Sequence, residues 1–289
     1  MPAFSIDGHL CSKADATISV MDHGLLYGDG IFEGLRFYEG EIYELDAHLD
    51  RLLDSARAIS LLIPLQRQEI LTALDNAVLA SGLADGYIRL LVTRGEGSLG
   101  LDPASCARPR IIIIVDELAM VSPAVLTQGA TLIISSVRRL QADQIDSRIK
   151  SLNYLNQILA RLEANAAGAD EAVMLNDQGR IAEGTADNIF IVKNGNLLTP
   201  PLCEGSLAGI TRSAIIACAQ QARIEVQEAP LSAYDLYTAD ECFLSGTGAE
   251  LIPVKEVSGR QIPSVRGPIF RQLHEAFCAS ARGARLAMC

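Results

Sequence analysis

Short apolar runs bounded by turn residues dominate the first third of the chain, with helical spacing between them. Residues 30–38 and 41–45 predict two strands joined at Glu39-Gly40. Leu49, Leu52, Leu53 and Ala56 then recur at helical spacing, which predicts a helix with Asp46 as its N-cap. A second helix is predicted over residues 68–81, stopped by Gly82, a residue suited to a left-handed C-cap. Residues 87–93 and 110–115 predict sheet strands, the second too continuously apolar to face water.

Periodicity lapses over residues 117–129 around Ser122-Pro123. Residues 121–129 are therefore expected to link a smaller first domain, 1–120, to a larger second one, 130–289. In the second, residues 130–137 and 171–175 predict strands, with an Ala-rich helix over 155–167 between them. Residues 188–192 and 196–199 predict a hairpin over Asn194-Gly195, a pair that accepts positive φ. Helices are predicted at 211–222 and 269–279. Strands and helices mix without strict alternation, so the expected fold class is α+β in two domains.

Composition narrows the function classes. With 289 residues, 49% apolar and 20% charged, the chain has the profile of a soluble globular protein with room for two cores. A net charge of −11 disfavours nucleic acid and anionic membrane as partners, and an anionic substrate must then be drawn in by local arginines. No apolar stretch approaches the ~20 residues of a membrane span. Met1-Pro2-Ala3-Phe4-Ser5 shows no secretory pattern, so a cytoplasmic location is expected. The seven cysteines form no Cys-x-x-Cys pair and are expected to be free thiols. The four histidines are dispersed, no metal-ligand spacing stands out, and no metal is expected.

Two segments concentrate the chemistry. Ser147-Arg148-Ile149-Lys150-Ser151-Leu152-Asn153-Tyr154 supplies a lysine and, four residues on, a phenol. Glu183-Gly184-Thr185-Ala186-Asp187-Asn188-Ile189-Phe190 supplies a carboxylate. These three groups are what a pyridoxal phosphate enzyme needs. The lysine forms a Schiff base with the aldehyde, the glutamate keeps the pyridine nitrogen protonated, and the phenol holds the ring hydroxyl. Outside such a setting Lys150 would read as a solvated charge, Glu183 as a turn residue and Tyr154 as a core aromatic.

The segments resemble the class IV aminotransferases, pyridoxal phosphate enzymes of fold type IV. The likeness continues through Leu197-Leu198-Thr199 and Leu207-Ala208-Gly209-Ile210-Thr211-Arg212, and includes Arg51 in His48-Leu49-Asp50-Arg51-Leu52 and Thr247 in Ser245-Gly246-Thr247-Gly248. It implies a cofactor at the domain interface, with Lys150 catalytic and Tyr154, Glu183 and Leu207 in the cofactor site. For the phosphate it implies Arg51, the helix opening at Gly209-Ile210-Thr211 and the hydroxyl of Thr247. Arg51 alone would read as a solvated helix charge.

Substrate positions follow a narrower likeness. Tyr27-Gly28-Asp29-Gly30-Ile31-Phe32-Glu33-Gly34-Leu35-Arg36 and Tyr87-Ile88-Arg89 are similar to branched-chain amino acid aminotransferases. Strand alternation puts Phe32, Gly34 and Arg36 on one face of a strand, and Tyr87 with Arg89 on one face of another strand. Two aromatics and a glycine suit an apolar slot, and the arginines suit an α-carboxylate, although lone strand arginines are more often edge charges. Tyr27, Thr247 and Gly248 complete the expected substrate set.

The loop Gly95-Glu96-Gly97-Ser98-Leu99-Gly100-Leu101-Asp102-Pro103 fits the same subfamily, which lends it to the partner subunit's active site. A homodimer or higher homo-oligomer is implied, with Leu101 reaching across; otherwise this is a flexible surface loop. The expected reaction passes the amino group of branched-chain L-amino acids to 2-oxoglutarate by a ping-pong scheme.

Position 248 departs from the subfamily, which usually carries alanine there, and Thr93-Arg94 before the loop is a form shared with less specific relatives. The Arg-x-His element expected of D-amino acid aminotransferases is absent from the loop. Arg89, which (R)-selective amine transaminases usually replace, is retained. D-amino acid or (R)-amine transamination, aminodeoxychorismate lyase activity and non-catalytic cofactor binding stand as the alternatives.

Overall fold

The computed structural model describes residues 2–118 and 121–283. It divides into two units, the first taking the chain up to Leu118 together with Ile149–Asn153, the second taking the remainder. Ala119 and Met120, where the expected first domain ends, lie outside the described residues.

The first unit is built on an antiparallel sheet of β1 (Ala3–Ile6), β2 (His9–Cys11), β3 (Gly30–Tyr38), β4 (Glu41–Ile42), β5 (Gly86–Thr93) and β6 (Arg110–Asp116). Their spatial order is β2-β1-β6-β5-β3-β4. A short helix, α1 (His23–Tyr27), precedes β3, and α2 (Leu45–Ala58) and α3 (Arg67–Ser81) supply the helical part of the core. Ile31, Leu35 and Phe37 of β3 join Ile88, Leu90 and Val92 of β5 and Leu49, Leu52 and Leu74 of the helices in that core. In β6 the continuous apolar run is covered unevenly: Ile111, Ile113 and Val115 are buried, while Ile112 and Ile114 are half-exposed.

Two local expectations shift. The strand expected over 41–45 ends at Ile42 because Glu44 turns left-handed at φ 51°. That turn starts α2 at Leu45, which packs on the core. Asp46 is therefore not the N-cap; it lies in the first turn and pairs with Arg67 at 2.6 Å. By contrast, α3 ends as expected, at Gly82 with φ 67°.

The second unit opens inside the expected linker with a helix, α4 (Pro123–Gln128), capped by Ser122 Oγ on the Val125 amide at 3.3 Å. Then come β7 (Ala130–Arg138), α5 (Leu155–Ala166), β8 (Glu171–Leu175), β9 (Ile181–Glu183), β10 (Asn188–Lys193) and β11 (Asn196–Thr199). They are followed by α6 (Ile210–Gln221), β12 (Val226–Glu228), α7 (Ala233–Tyr237), β13 (Glu241–Gly246), β14 (Glu250–Val257), β15 (Arg260–Gln261) and α8 (Pro268–Ala281). The sheet order is β12-β11-β10-β13-β14-β7-β8-β9, with β15 on β14. The β14–β7, β7–β8 and β11–β12 pairs are parallel and the rest antiparallel.

The expected hairpin turn is present, with Asn194 at φ 52° and Gly195 at φ 81°. Phe190 and Phe243 stack at 5.1 Å between β10 and β13, and Phe270 of α8 meets Phe243 edge-on at 5.6 Å. Among the described residues no helix is long and apolar enough to cross a membrane.

Candidate active site

The motif lysine is held in extended chain. Phe32 N donates to Lys150 O at 2.9 Å, Leu152 N donates to Gly30 O at 2.9 Å, and Ile31 bridges Ser151, so the segment lies antiparallel along the start of β3. The Ser55 hydroxyl of α2 accepts from the Lys150 amide at 3.2 Å. Lys150 and Tyr154, though spaced like residues one helical turn apart, share no helix, since Tyr154 is itself the N-cap of α5. Ser151 and Asn153 explain the difference: Ser151 Oγ accepts from the Asn153 amide, and Asn153 Nδ2 donates to Gly28 O at 2.9 Å, contacts that favour a turn.

The register of β3 with β5 sets Gly34 opposite Arg89 and Arg36 opposite Tyr87, so the expected substrate residues share one face of the sheet. No open slot lies over Gly34. A Cβ there would come within 2.0 Å of Tyr87 Oη. The Arg89 guanidinium sits 4.6 Å from the Phe32 ring centroid and 5.5 Å from that of Tyr87. Lys150 Nζ also lies 4.6 Å from the Phe32 centroid. Arg36 is 5.0 Å from the Tyr38 ring. Burial raises the Tyr87 pKa despite Arg89, so the phenol stays protonated.

On the opposite face of β3, Glu33 is fully buried among apolar residues. Arg51 grips it with Nε on Oε1 at 2.8 Å and Nη2 on Oε2 at 2.7 Å, and His48 Nδ1 meets Oε2 at 2.8 Å. Burial pushes the Glu33 pKa up, but the charge and hydrogen bonds of Arg51, with the hydrogen bond of His48, outweigh it and hold it at about 2. An ionised carboxylate only accepts, so His48 Nδ1 carries the proton. Burial lowers the His48 pKa against the pull of Glu33. Its Nε2 is buried with no hydrogen-bond partner among the described residues.

The loop after β5 is pinned to α1. His23 Nε2 bonds the Ser98 carbonyl at 2.7 Å, and the Tyr27 hydroxyl donates to the Leu99 carbonyl. Gly97 packs against Cys106, His23 and Ser105, which leaves no room for a side chain. Leu99 and Leu101 nonetheless stand 71% and 79% exposed.

In the second unit Glu183, at the end of β9, accepts from Arg139 Nη2 at 2.9 Å and from the Leu207 amide at 2.9 Å. Arg139 is buried too, with Nε on the Gly205 carbonyl at 3.2 Å; turning the Gln157 amide so that its oxygen faces Arg139 puts that oxygen 2.6 Å from Nη1. The Leu207 carbonyl accepts from Asn188 Nδ2 at 3.0 Å. Asn188 Oδ1 fills the space over Gly209, 1.9 Å from where a Cβ would stand. Gly209 is the N-cap of α6, and no side chain caps the helix. Ile210 is its first residue and Thr211 is buried in the first turn. Thr247 and Gly248 lie in the turn between β13 and β14. The buried hydroxyls of Ser206 and Ser245 have no partner among the described residues.

Sequence reasoning missed Arg139, Glu33 and His48. Nothing in the spacing of Arg138-Arg139 marks which arginine turns inward. Glu33 was legible as a charge among residues that face the core. The donors present fit an anionic pyridine cofactor: a lysine amine, a buried carboxylate held as an anion by Arg139, and an uncapped helix N-terminus with threonine hydroxyls.

The family described as Amino-transferase class IV matches residues 30–257. A Methanocaldococcus jannaschii protein with the provisional name branched-chain-amino-acid aminotransferase is 49% identical over 273 residues, covering 94% of each chain. Among solved structures, the Escherichia coli branched-chain amino acid aminotransferase superposes with TM-score 0.93 at 34% identity, over 99% of this chain and 97% of that one. The T.th. branched-chain amino acid aminotransferase complexed with N-(5'-phosphopyridoxyl)-L-glutamate gives 0.91 at 33% identity, over 98% and 95%.

Two stability predictions follow from the buried carboxylates. The Glu33 pKa is depressed from an ordinary 4.5 to about 2, so its contribution is present above pH 4.5 and disappears as pH falls toward 2. Glu33→Gln should cost ~3–5 kcal/mol at neutral pH, because it strands Arg51, and should flatten acid unfolding in that window. Chemical denaturation at stepped pH measures both effects. Arg139→Met should cost a similar ~3–5 kcal/mol by stranding Glu183, whereas Arg139→Met with Glu183→Gln should cost less than the sum of the single changes. A double-mutant cycle with additive costs would contradict the pairing.

Proposed function

The chain belongs to the class IV aminotransferases, and on that premise we propose that it transfers the amino group of branched-chain L-amino acids to 2-oxoglutarate with pyridoxal 5'-phosphate as cofactor. The observation that carries this reading is the sheet face of the first unit, where Phe32 is flanked at 4.6 Å by both Lys150 Nζ and the Arg89 guanidinium. It sets a candidate nucleophile and proton carrier, an apolar wall and a carboxylate anchor side by side. When bound, the cofactor supplies an aldehyde that condenses with amines and a ring that draws the electron pair from Cα.

Lys150 Nζ is the group that takes the α-proton and gives it back. Glu183, kept anionic by Arg139 and the Leu207 amide, holds a proton on the ring nitrogen. Arg51, the amides at the start of α6, Thr211 and Thr247 hold the phosphate, and Tyr154 the ring hydroxyl. Glu33 fixes the Nε–Nη2 edge of Arg51 and so orients the guanidinium. Arg89 and Arg36 receive the substrate carboxylate. Phe32 and Tyr87 flank the apolar side chain, with Tyr27, Gly248 and Leu101 completing the substrate set and Gly34 leaving the room that the Tyr87 hydroxyl takes. Both half-reactions use one site, which makes the scheme ping-pong. The glutamate adduct held by the T.th. relative supports 2-oxoglutarate as acceptor, since its amination gives glutamate.

The assembly is a homodimer or higher homo-oligomer. Leu155, Ile158, Leu159 and Leu162 form a stripe at helical spacing on α5, 67%, 52%, 46% and 56% exposed, and Leu99 and Leu101 add a second apolar surface. Cys11, Cys106, Cys203, Cys218 and Cys242 are free thiols, which fits the cytoplasm.

Lys150→Ala should abolish the yellow absorbance of the purified protein together with nearly all turnover; a variant keeping both would remove Lys150 from its role. Arg89→Ala should penalise L-leucine roughly ten- to a hundredfold in kcat/KM, the worth of one charge-assisted hydrogen bond, and affect primary amines far less. In half-reactions of the unmodified protein L-leucine should react faster than D-alanine or (R)-1-phenylethylamine. The reverse order would overturn the donor assignment and leave the cofactor chemistry standing.

A further inference from the structure

A cluster of potential ligands in the second unit takes no part in the proposed transamination. His274 and Cys278 stand four residues apart on α8, so their side chains share one face of the helix. Glu250, the first residue of β14, lies close to them at the turn end of the β13–β14 hairpin. One ligand atom from each residue lies within 4.8 Å of the others. Cys278 Sγ is 4.0 Å from His274 Nδ1 and 3.9 Å from Nε2. All three residues are partly buried.

We propose that Glu250, His274 and Cys278 form a binding site for a divalent cation of the zinc class, bracing the β13–β14 hairpin against α8. Thiolate, imidazole and carboxylate are the donor types zinc takes, with the fourth position left to water. Tetrahedral bonds of about 2.3 Å to sulfur and ~2.0 Å to nitrogen separate those two ligands by roughly 3.5 Å. The separation here exceeds that by a few tenths of an ångström. The sulfur is nearly equidistant from both ring nitrogens, so a rotation of the imidazole aims one of them at the shared point.

The surroundings suit a cation. Glu250 and Glu275 lie near His274 on the acidic side of its surroundings, with Arg266 opposite in charge. Among the described residues these are two carboxylates against one guanidinium, a net negative setting. The His274 ring also stacks on Phe270 at 5.7 Å, and Arg266 lies over the same Phe270 ring at 5.6 Å. Spacing alone does not mark this pair, because a histidine and a cysteine four apart gain meaning only on a helix with a third ligand opposite.

The test uses the purified protein with its cofactor, stripped of metal by chelation under reducing conditions and titrated with Co²⁺. One equivalent should bind and give the visible bands of sulfur-ligated tetrahedral cobalt, to the red of the cofactor's absorbance. Zn²⁺ should displace it, and loading should raise the thermal midpoint by several degrees. Cys278→Ser should abolish the bands and weaken Zn²⁺ binding at least tenfold. Cys203→Ser, at an exposed thiol elsewhere, should leave both unchanged. His274→Gln, a change gentler on packing, should weaken binding likewise, and thermal midpoints in chelator establish that each variant is folded. No sulfur-ligated bands in the unmodified protein, full binding by Cys278→Ser, or loss on Cys203→Ser would each overturn the site.

Discussion

A carboxylate removed from water keeps its charge only where cations and hydrogen-bond donors replace the lost solvent. Glu33 imposes that requirement on the first unit. It occupies a core-facing position of β3, among Ile31, Leu35 and Phe37, and only α2 can answer it, with His48 and Arg51 three residues apart. That fixes the rotation of α2 about its own axis. The same helix face then presents Ser55, whose hydroxyl accepts from the Lys150 amide. The position of the motif lysine is thus tied, through one helix, to a buried charge on the strand beside it. Glu183 plays the equivalent part in the second unit. Arg139 and the Leu207 amide hold it, Asn188 holds Leu207, and the same Asn188 side chain fills the space that Gly209 leaves at the start of α6.

The glycines of these segments are therefore spaces claimed by particular neighbours. Tyr87 Oη takes the room over Gly34, Asn188 Oδ1 that over Gly209, and Asp187 Oδ1 that over Gly246, at 2.3 Å from a would-be Cβ. None of the three has positive φ, so conformational freedom does not explain them. Close packing does. Filling Gly34 would push the Tyr87 ring, and with it the aromatic pair that frames Arg89.

Much of the local structure was legible in the sequence where spacing and punctuation agree, as in α3 with Gly82 behind it, the Asn194-Gly195 turn and strands β3 and β5. Failures occurred where a tertiary contact outweighed a local signal. Asp46 looks like a cap, yet Leu45 gains more by packing on the core and draws the helix start back one residue. Lys150 and Tyr154 have helical spacing, yet residues 150–152 are pulled into extended chain by β3. Strands β13 and β14 went unpredicted, although Phe243 and Val254 sit deep in the second core. In the motif segments the sequence marks single residues, but not the side chains that support them. Which of Arg138 and Arg139 turns inward, and which histidine meets Glu33, depends on partners distant in sequence.

The overall charge of −11 and an anionic substrate set are reconciled by the same buried pairs. On the described face of the first sheet, Lys150, Arg36 and Arg89 gather around Phe32, Tyr38 and Tyr87. Glu33 lies on the far side of the strand, where it consumes only one edge of Arg51. His48 adds no charge, because burial keeps it neutral. The acidic surplus lies mostly at exposed positions, where it is separated by water and screened within about 8–10 Å at ordinary ionic strength. A few cations at the edge of low-dielectric surroundings act on a nearby carboxylate or phosphate far more strongly than a larger number of screened surface anions. Local geometry rather than net charge thus sets the sign of the field that a bound anion meets.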